Sequence, residues 1–220
     1  MNEDAAINPV SADTVFQRNN VKVLGRADGP ALVLVQGFGC DQVIWDRILP
    51  EVTETCKVVL LDHVGTGWAE PTAYSPEKYA SLEGYLADLL EVLDALELEN
   101  ATVVGHSVAG MMALAASVES SRIGRLVLLC ASACYLSHDG YAGGFEPENV
   151  EDVLRAVEAN IRCGPLPLLR ASRERSPAPG SAPNWPSGCA GCGPNTSGIF
   201  CGCPLRRMSG RCWSGFRLRH

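Results

Sequence analysis

Apolar residues in the first three quarters of the chain follow two alternating rhythms. Short, nearly unbroken runs occur at Ala31-Leu32-Val33-Leu34-Val35, Lys57-Val58-Val59-Leu60-Leu61, Ala101-Thr102-Val103-Val104 and Arg125-Leu126-Val127-Leu128-Leu129-Cys130. Such runs are the signature of strands covered on both faces of a parallel sheet. Val21-Lys22-Val23-Leu24 predicts an antiparallel strand at the sheet edge. Between the runs, Leu82, Tyr85, Leu86, Leu89, Leu90, Leu93 and Leu96 recur at helical spacing and form one apolar face. Ser75-Pro76-Glu77 has the cap-then-proline form of a short helix start ahead of it. Val108 to Val118 is small and apolar all round, which predicts a helix buried against the sheet. Val150, Val153, Leu154, Val157 and Ile161 line one side of a further helix over Glu148–Ile161. Strand and helix in alternation imply an α/β fold with a mostly parallel sheet flanked by helices.

The text changes character near Ile161. Beyond it Glu174 is the sole acidic residue, Lys is absent, and Arg, Pro, Gly, Ser and Cys dominate. Pro and Gly at this density break helices and strands alike, so residues 163–220 read as an irregular tail. The formal net charge of -7 argues against nucleic acid as a partner, because phosphate binding needs a basic face. No stretch approaches the roughly 20 apolar residues of a membrane span, and no secretory leader is visible. The expectation is a soluble, cytoplasmic chain with no membrane association. Cys40, Cys56, Cys130 and Cys134 are read as small, mostly buried thiols.

One segment carries chemistry. Val103-Val104-Gly105-His106-Ser107-Val108-Ala109-Gly110 runs from strand through a sharp turn into a buried helix. That is the context a G-x-S-x-G nucleophile elbow requires. The turn strains the serine backbone, so its neighbours two residues away must be small; Gly105 and Ala109 meet that need, Ala109 at a small steric cost. Ser107 is the candidate nucleophile. The N–H of Val108, at the start of the helix, can stabilise an oxyanion. A second donor is expected on the loop after the first central strand, Gln36-Gly37-Phe38-Gly39-Cys40, with the Phe38 N–H in that role. This chemistry needs no cofactor and no metal.

Several segments together resemble the RsbQ-type hydrolases, bacterial relatives of the plant strigolactone and karrikin receptors. They are Val35-Gln36-Gly37-Phe38-Gly39-Cys40-Asp41-Gln42 with Trp45, Asp62-His63-Val64-Gly65-Thr66-Gly67, Leu82-Glu83-Gly84-Tyr85, Gly105-His106-Ser107-Val108 and Gly143-Gly144-Phe145-Glu146. The resemblance spans Arg18 to Ile161 in collinear order. It implies an α/β-hydrolase core over residues 1–135, the start of a helical lid over 136–162, a Ser-His-Asp triad and a small hydrophobic ligand pocket. It also implies stress-signalling work beside a PAS-domain phosphatase, and slow turnover of a small ester or lactone. A non-catalytic, small-ligand-binding signalling module is the alternative.

The chain departs from this pattern after Ile161, where its text resembles nothing in the family. The triad acid and histidine should follow Ser107 at long intervals, yet the histidines are His63, His106, His138 and His220. Whether this chain is an active enzyme is therefore left open, with little activity expected. Cys189-Ala190-Gly191-Cys192 and Cys201-Gly202-Cys203 offer four thiols for a structural zinc, although the second spacing fits poorly. The leading reading of the tail is GC-rich coding text read out of frame, or an equivalent fault in the gene model, and the zinc site is its weaker rival. Sequencing the coding DNA across the Ile161 codon tests this: a neighbouring frame should encode an Asp loop and a terminal His loop, and its failure to do so rejects the reading.

Overall fold

A computed structural model of the chain describes residues 11–37, 39–146, 148, 149 and 152. Five strands form one sheet: β1 (Lys22–Gly25), β2 (Ala31–Val35), β3 (Lys57–Leu60), β4 (Ala101–His106) and β5 (Ile123–Leu129). Their order is β1-β3-β2-β4-β5. β1 runs antiparallel to β3 at one edge, and the other pairings are parallel. The helices are α1 (Ala12–Arg18), α2 (Leu49–Val52), α3 (Leu82–Ala95) and α4 (Val108–Glu119), with short 3-10 turns at Gln42–Trp45, Pro71–Ala73 and Lys78–Ala80. The α/β class, the antiparallel edge strand and both central helices match the hydrophobic pattern. The periodicity did not reveal α1, which starts where the Ser11 side chain accepts a hydrogen bond from Thr14 N.

Strand alternation divides the core. Val33, Val35, Val59 and Val103 face α3 and α4 in the larger cluster. Leu34, Val58, Leu60 and Val104 face Trp45, with Leu49 and Val52 packed alongside. Side chains at alternate positions point to opposite faces, so continuous apolar runs are what a sheet covered on both sides requires. β5 departs from that expectation. Val127, Leu128 and Leu129 are all exposed, because among the described residues β5 is an edge strand paired with β4 alone.

Parallel strands β3 and β4 flank β2 on opposite sides, so the chain direction of winding reverses at β2. In open α/β sheets the crevice at such a reversal, beyond the carboxyl ends of the strands, is where ligands bind. Here those ends belong to β2 and β4, paired as Val35 with Gly105. Among the described residues no helix is long and apolar enough to cross a membrane. The predicted helix over Glu148–Ile161, the tail and its zinc-type cysteines lie largely or wholly outside the described residues. Of the body cysteines, Cys40 is a buried free thiol as expected and Cys56 a half-buried one; Cys134 is buried but disulfide-bonded, which corrects the reading of it as a thiol, and Cys130, just past the open strand β5, is exposed.

One buried acid ties the amino-terminal helix to this framework. Asp88, on the inward face of α3, lies 3.2 Å from the Arg18 guanidinium and 2.7 Å from Lys78 Nζ. It also accepts a hydrogen bond from Tyr79 Oη at 2.9 Å. Removing one member of a buried ion pair leaves its partner short of a counter-charge; here that partner is chiefly Arg18, because Lys78 is partly exposed. Asp88→Ala should therefore destabilise the fold by about 3–5 kcal/mol, measured as the shift in a urea-unfolding free energy.

Candidate active site

β4 ends at His106 and α4 begins at Val108, leaving Ser107 to make the whole turn. Its backbone sits at φ 57, ψ -128, a region that costs a non-glycine residue energy and persists only where the surroundings enforce it. Ser107 N donates to Leu129 O at 2.7 Å, and Gly110 N donates to Ser107 O at 2.9 Å. These bonds tie the turn to β5 and to the first turn of α4. Neighbour size is equally restrictive. A Cβ at Gly105 would stand 2.5 Å from Ala109 O and 2.6 Å from the Gly110 Cα, and one at Gly110 would stand 2.6 Å from the Ala131 Cβ. The small-residue requirement read from the motif thus extends one position further, to Gly110, and Ala109 is accommodated fully buried. The Ser107 side chain does not cap α4, so the hydroxyl is not spent on the helix amides.

The loop after β2 lies directly against the elbow. A Cβ at Gly37 would stand 2.7 Å from the Ser107 Cβ and 2.9 Å from His106 O, so only a glycine permits this approach. Phe38 follows Gly37 in the chain, but its own position lies outside the described residues. Val108, the other expected oxyanion donor, is buried at the start of α4.

Ser107 Oγ lies 3.3 Å from Tyr135 Oη, and that phenol also donates to Cys130 O at 3.4 Å. Sequence reasoning passed over Tyr135, because a tyrosine on a loop carries no motif. Its proximity to Ser107 depends on β5 lying beside β4. Burial pushes the Tyr135 phenol above its ordinary pKa, which keeps it protonated at neutral pH. The histidines sit elsewhere. His63 is buried, with Nε2 2.8 Å from Gln36 O; a carbonyl only accepts, so Nε2 carries the proton. His106 is half-buried, with Nδ1 lacking a hydrogen-bond partner, and that nitrogen lies on the side facing Gly37. His138 stacks on Tyr141 with ring centres 5.0 Å apart. His220 lies outside the described residues. Among the described residues, the group placed on the Ser107 hydroxyl is therefore a tyrosine and not a histidine.

A strained serine between a buried strand and helix, with a glycine loop pressed on it, matches one family. A profile described as alpha/beta hydrolase fold matches residues 30–217. The chain belongs to the α/β-hydrolase fold family. The profile match runs past Ile161, so the family likeness is not confined to the segment before the compositional change. The chain is 38% identical over 149 residues to Karrikin insensitive 2 receptor B of Petunia hybrida, covering 67% of this chain and 54% of that protein. It is 38% identical over 152 residues to Strigolactone esterase D14 of Arabidopsis thaliana, covering 69% of this chain and 57% of the relative. The chain thus spans about half the length of the curated relatives it matches. A solved hydrolase from Oleispira antarctica superimposes with a TM-score of 0.68 at 29% identity, over 96% of this chain and 73% of its own.

The buried histidine gives the fold a pH dependence. Burial holds the His63 pKa below its ordinary value. Above about pH 6.5 the imidazole is neutral both folded and unfolded, and it makes no difference to stability. Below that, the unfolded chain takes up a proton that the folded chain refuses, so stability falls as pH is lowered toward the depressed folded pKa. Urea midpoints should decline between about pH 6.5 and pH 5, and the decline should be shallower in His63→Gln.

Proposed function

We propose that this chain is a serine-hydrolase relative whose Ser107 meets the carbonyl of a small hydrophobic ester or lactone. The observation that carries this reading is the strained Ser107 backbone with Gly37 in contact with it. In the proposed reaction Ser107 Oγ bonds to the carbonyl carbon, its proton passes to water, and the carbonyl π bond opens to an oxyanion; collapse of that oxyanion breaks the bond to the alkoxide, which leaves with a proton from water, and a second water then frees the acyl group from Oγ. The amides of Phe38 and Val108 hold that oxygen, aided by the positive end of α4. Two relatives bear the names of a strigolactone esterase and a karrikin receptor, which supports a compact apolar ligand. RsbQ-like stress signalling, a PAS-domain phosphatase as partner and a cytoplasmic location belong to the same proposal through the motif resemblance.

Turnover by this chain is expected to be weak. Serine is a poor nucleophile until an adjacent base takes its proton, and Tyr135, which burial keeps protonated at neutral pH, has no phenolate to take it. The same Ser107–Tyr135 contact favours the second reading, a ligand-binding signalling module, since both hydroxyls can hold a carbonyl without cleaving it. In subtilisin, a serine hydrolase of another fold, loss of the triad histidine costs on the order of 10⁶ in kcat. Hydrolysis of p-nitrophenyl acetate should therefore run near the uncatalysed rate, with little change in Ser107→Ala. Fast turnover abolished by Ser107→Ala would establish the catalytic reading; saturable binding of a butenolide lactone without turnover, weakened in both Ser107→Ala and Tyr135→Phe, would establish the binding one.

A further inference from the structure

The loop that touches Ser107 is held in place by a carboxylate on another strand connection. Asp62, just past β3, is fully buried, and among the described residues no Lys or Arg forms an ion pair with it. Four N–H groups surround it instead. Oδ1 accepts from Gln42 N at 2.9 Å and Gln36 Nε2 at 3.3 Å. Oδ2 accepts from Asn20 Nδ2 at 2.8 Å and Trp68 N at 3.0 Å. Gln36 and Gln42 are the two ends of the loop that contains Gly37 and Phe38. Next to Asp62, His63 Nε2 donates to Gln36 O at 2.8 Å, and Gln42 Nε2 closes the circle on Asn20 O at 3.1 Å. Gly67, at φ +52, packs so closely that a Cβ there would stand 2.4 Å from Asp62 Oδ2.

A buried carboxylate is expensive unless hydrogen bonds replace its lost water, and hydrogen bonds to a charged acceptor are stronger than neutral ones. Here the groups that replace the water belong to both ends of one loop. We infer that Asp62 is a positioning residue: its carboxylate, seconded by His63, clips the Gln36–Gln42 loop at both ends and so sets the distance between that loop and the Ser107 elbow. The inference deepens the proposed function, since it rests on that loop carrying an oxyanion donor. Asp62 touches no reacting atom; it acts through the loop.

Asp62→Asn keeps the shape but turns one oxygen into a donor that must face Trp68 N and Asn20 Nδ2 or else the two glutamine donors. Gln36→Met removes one end of the clip without adding repulsion. Leu98→Ala, a buried change in the larger apolar cluster, serves as the control. Amide hydrogen exchange of the full chain, followed by mass spectrometry, should show residues 36–42 exchanging about tenfold faster or more in Asp62→Asn and Gln36→Met, with α3 and β4 still protected. Should Asp62→Asn fail to fold, Gln36→Met decides. Unchanged loop exchange in a folded variant, or a rise no greater than in Leu98→Ala, overturns the inference.

A fluorophosphonate supplies the chemical readout: Ser107 Oγ bonds to phosphorus, fluoride leaves, and the hydroxyl proton passes to solvent. Among the described residues no base adjoins the Ser107 hydroxyl, so the unmodified protein should label slowly; Asp62→Asn should slow that labelling further, about 100-fold, the scale of a lost oxyanion donor. Equal labelling rates despite faster loop exchange would also overturn the inference. Faster loop exchange with no labelling of the unmodified protein would leave the clip standing and remove Ser107 from its proposed role. Labelling of the unmodified protein with unchanged loop exchange in Asp62→Asn would do the reverse.

Discussion

Close approach of two backbones, at Gly37 and Ser107, governs how this molecule is put together. β2 and β4 are hydrogen-bonded neighbours with Val35 opposite Gly105, so their following residues must turn away in different directions from nearly the same point. One chain escapes through a glycine loop, and the other through a strained serine into α4. Neither solution tolerates bulk. The strain at Ser107 is held by main-chain hydrogen bonds to β5 and α4, and the loop is held by side chains from the far side of β2. The site is thus the seam between two halves of the sheet, each anchored separately.

Much of this could be read from the chain. Four apolar runs and a helical stripe of leucines located β2, β3, β4, β5 and α3, because strand and helix periods are physically distinct. The elbow was legible for the same reason: Gly105, Ser107 and Ala109 lie within five residues, and local sterics act at that range. Other features were not legible because they depend on distance in sequence. Tyr135 reaches Ser107 across 28 residues, and Gln42 N reaches Asp62 across 20; no periodicity encodes either meeting. The pattern also misjudged β5, whose apolar run promises two covered faces while the described residues cover it incompletely.

The polar interior holds two acids of different kind, linked through Asn19, whose Nδ2 donates to Asp62 O and to Asp88 Oδ2. Asp88 is neutralised by cations and steadies the packing of α1 and α3. Asp62 is surrounded by neutral N–H groups drawn from loops. Salt bridges can be replaced by apolar packing with little loss, whereas a ring of directional hydrogen bonds fixes where its donors are. The two acids illustrate the difference between holding a fold together and holding a loop still.

Gly67 gives this arrangement an unexpected reach. It belongs to the turn after β3, and it leaves no room for even a methyl group beside the Asp62 carboxylate. Drift in that turn is therefore not free: a bulkier residue would nudge the acid, and the acid would drag the glutamines with it. Over evolutionary time, residues 36, 42, 62 and 67 should change together or hardly at all, so the reactive seam inherits the mutability of a turn built some thirty residues after the loop it constrains.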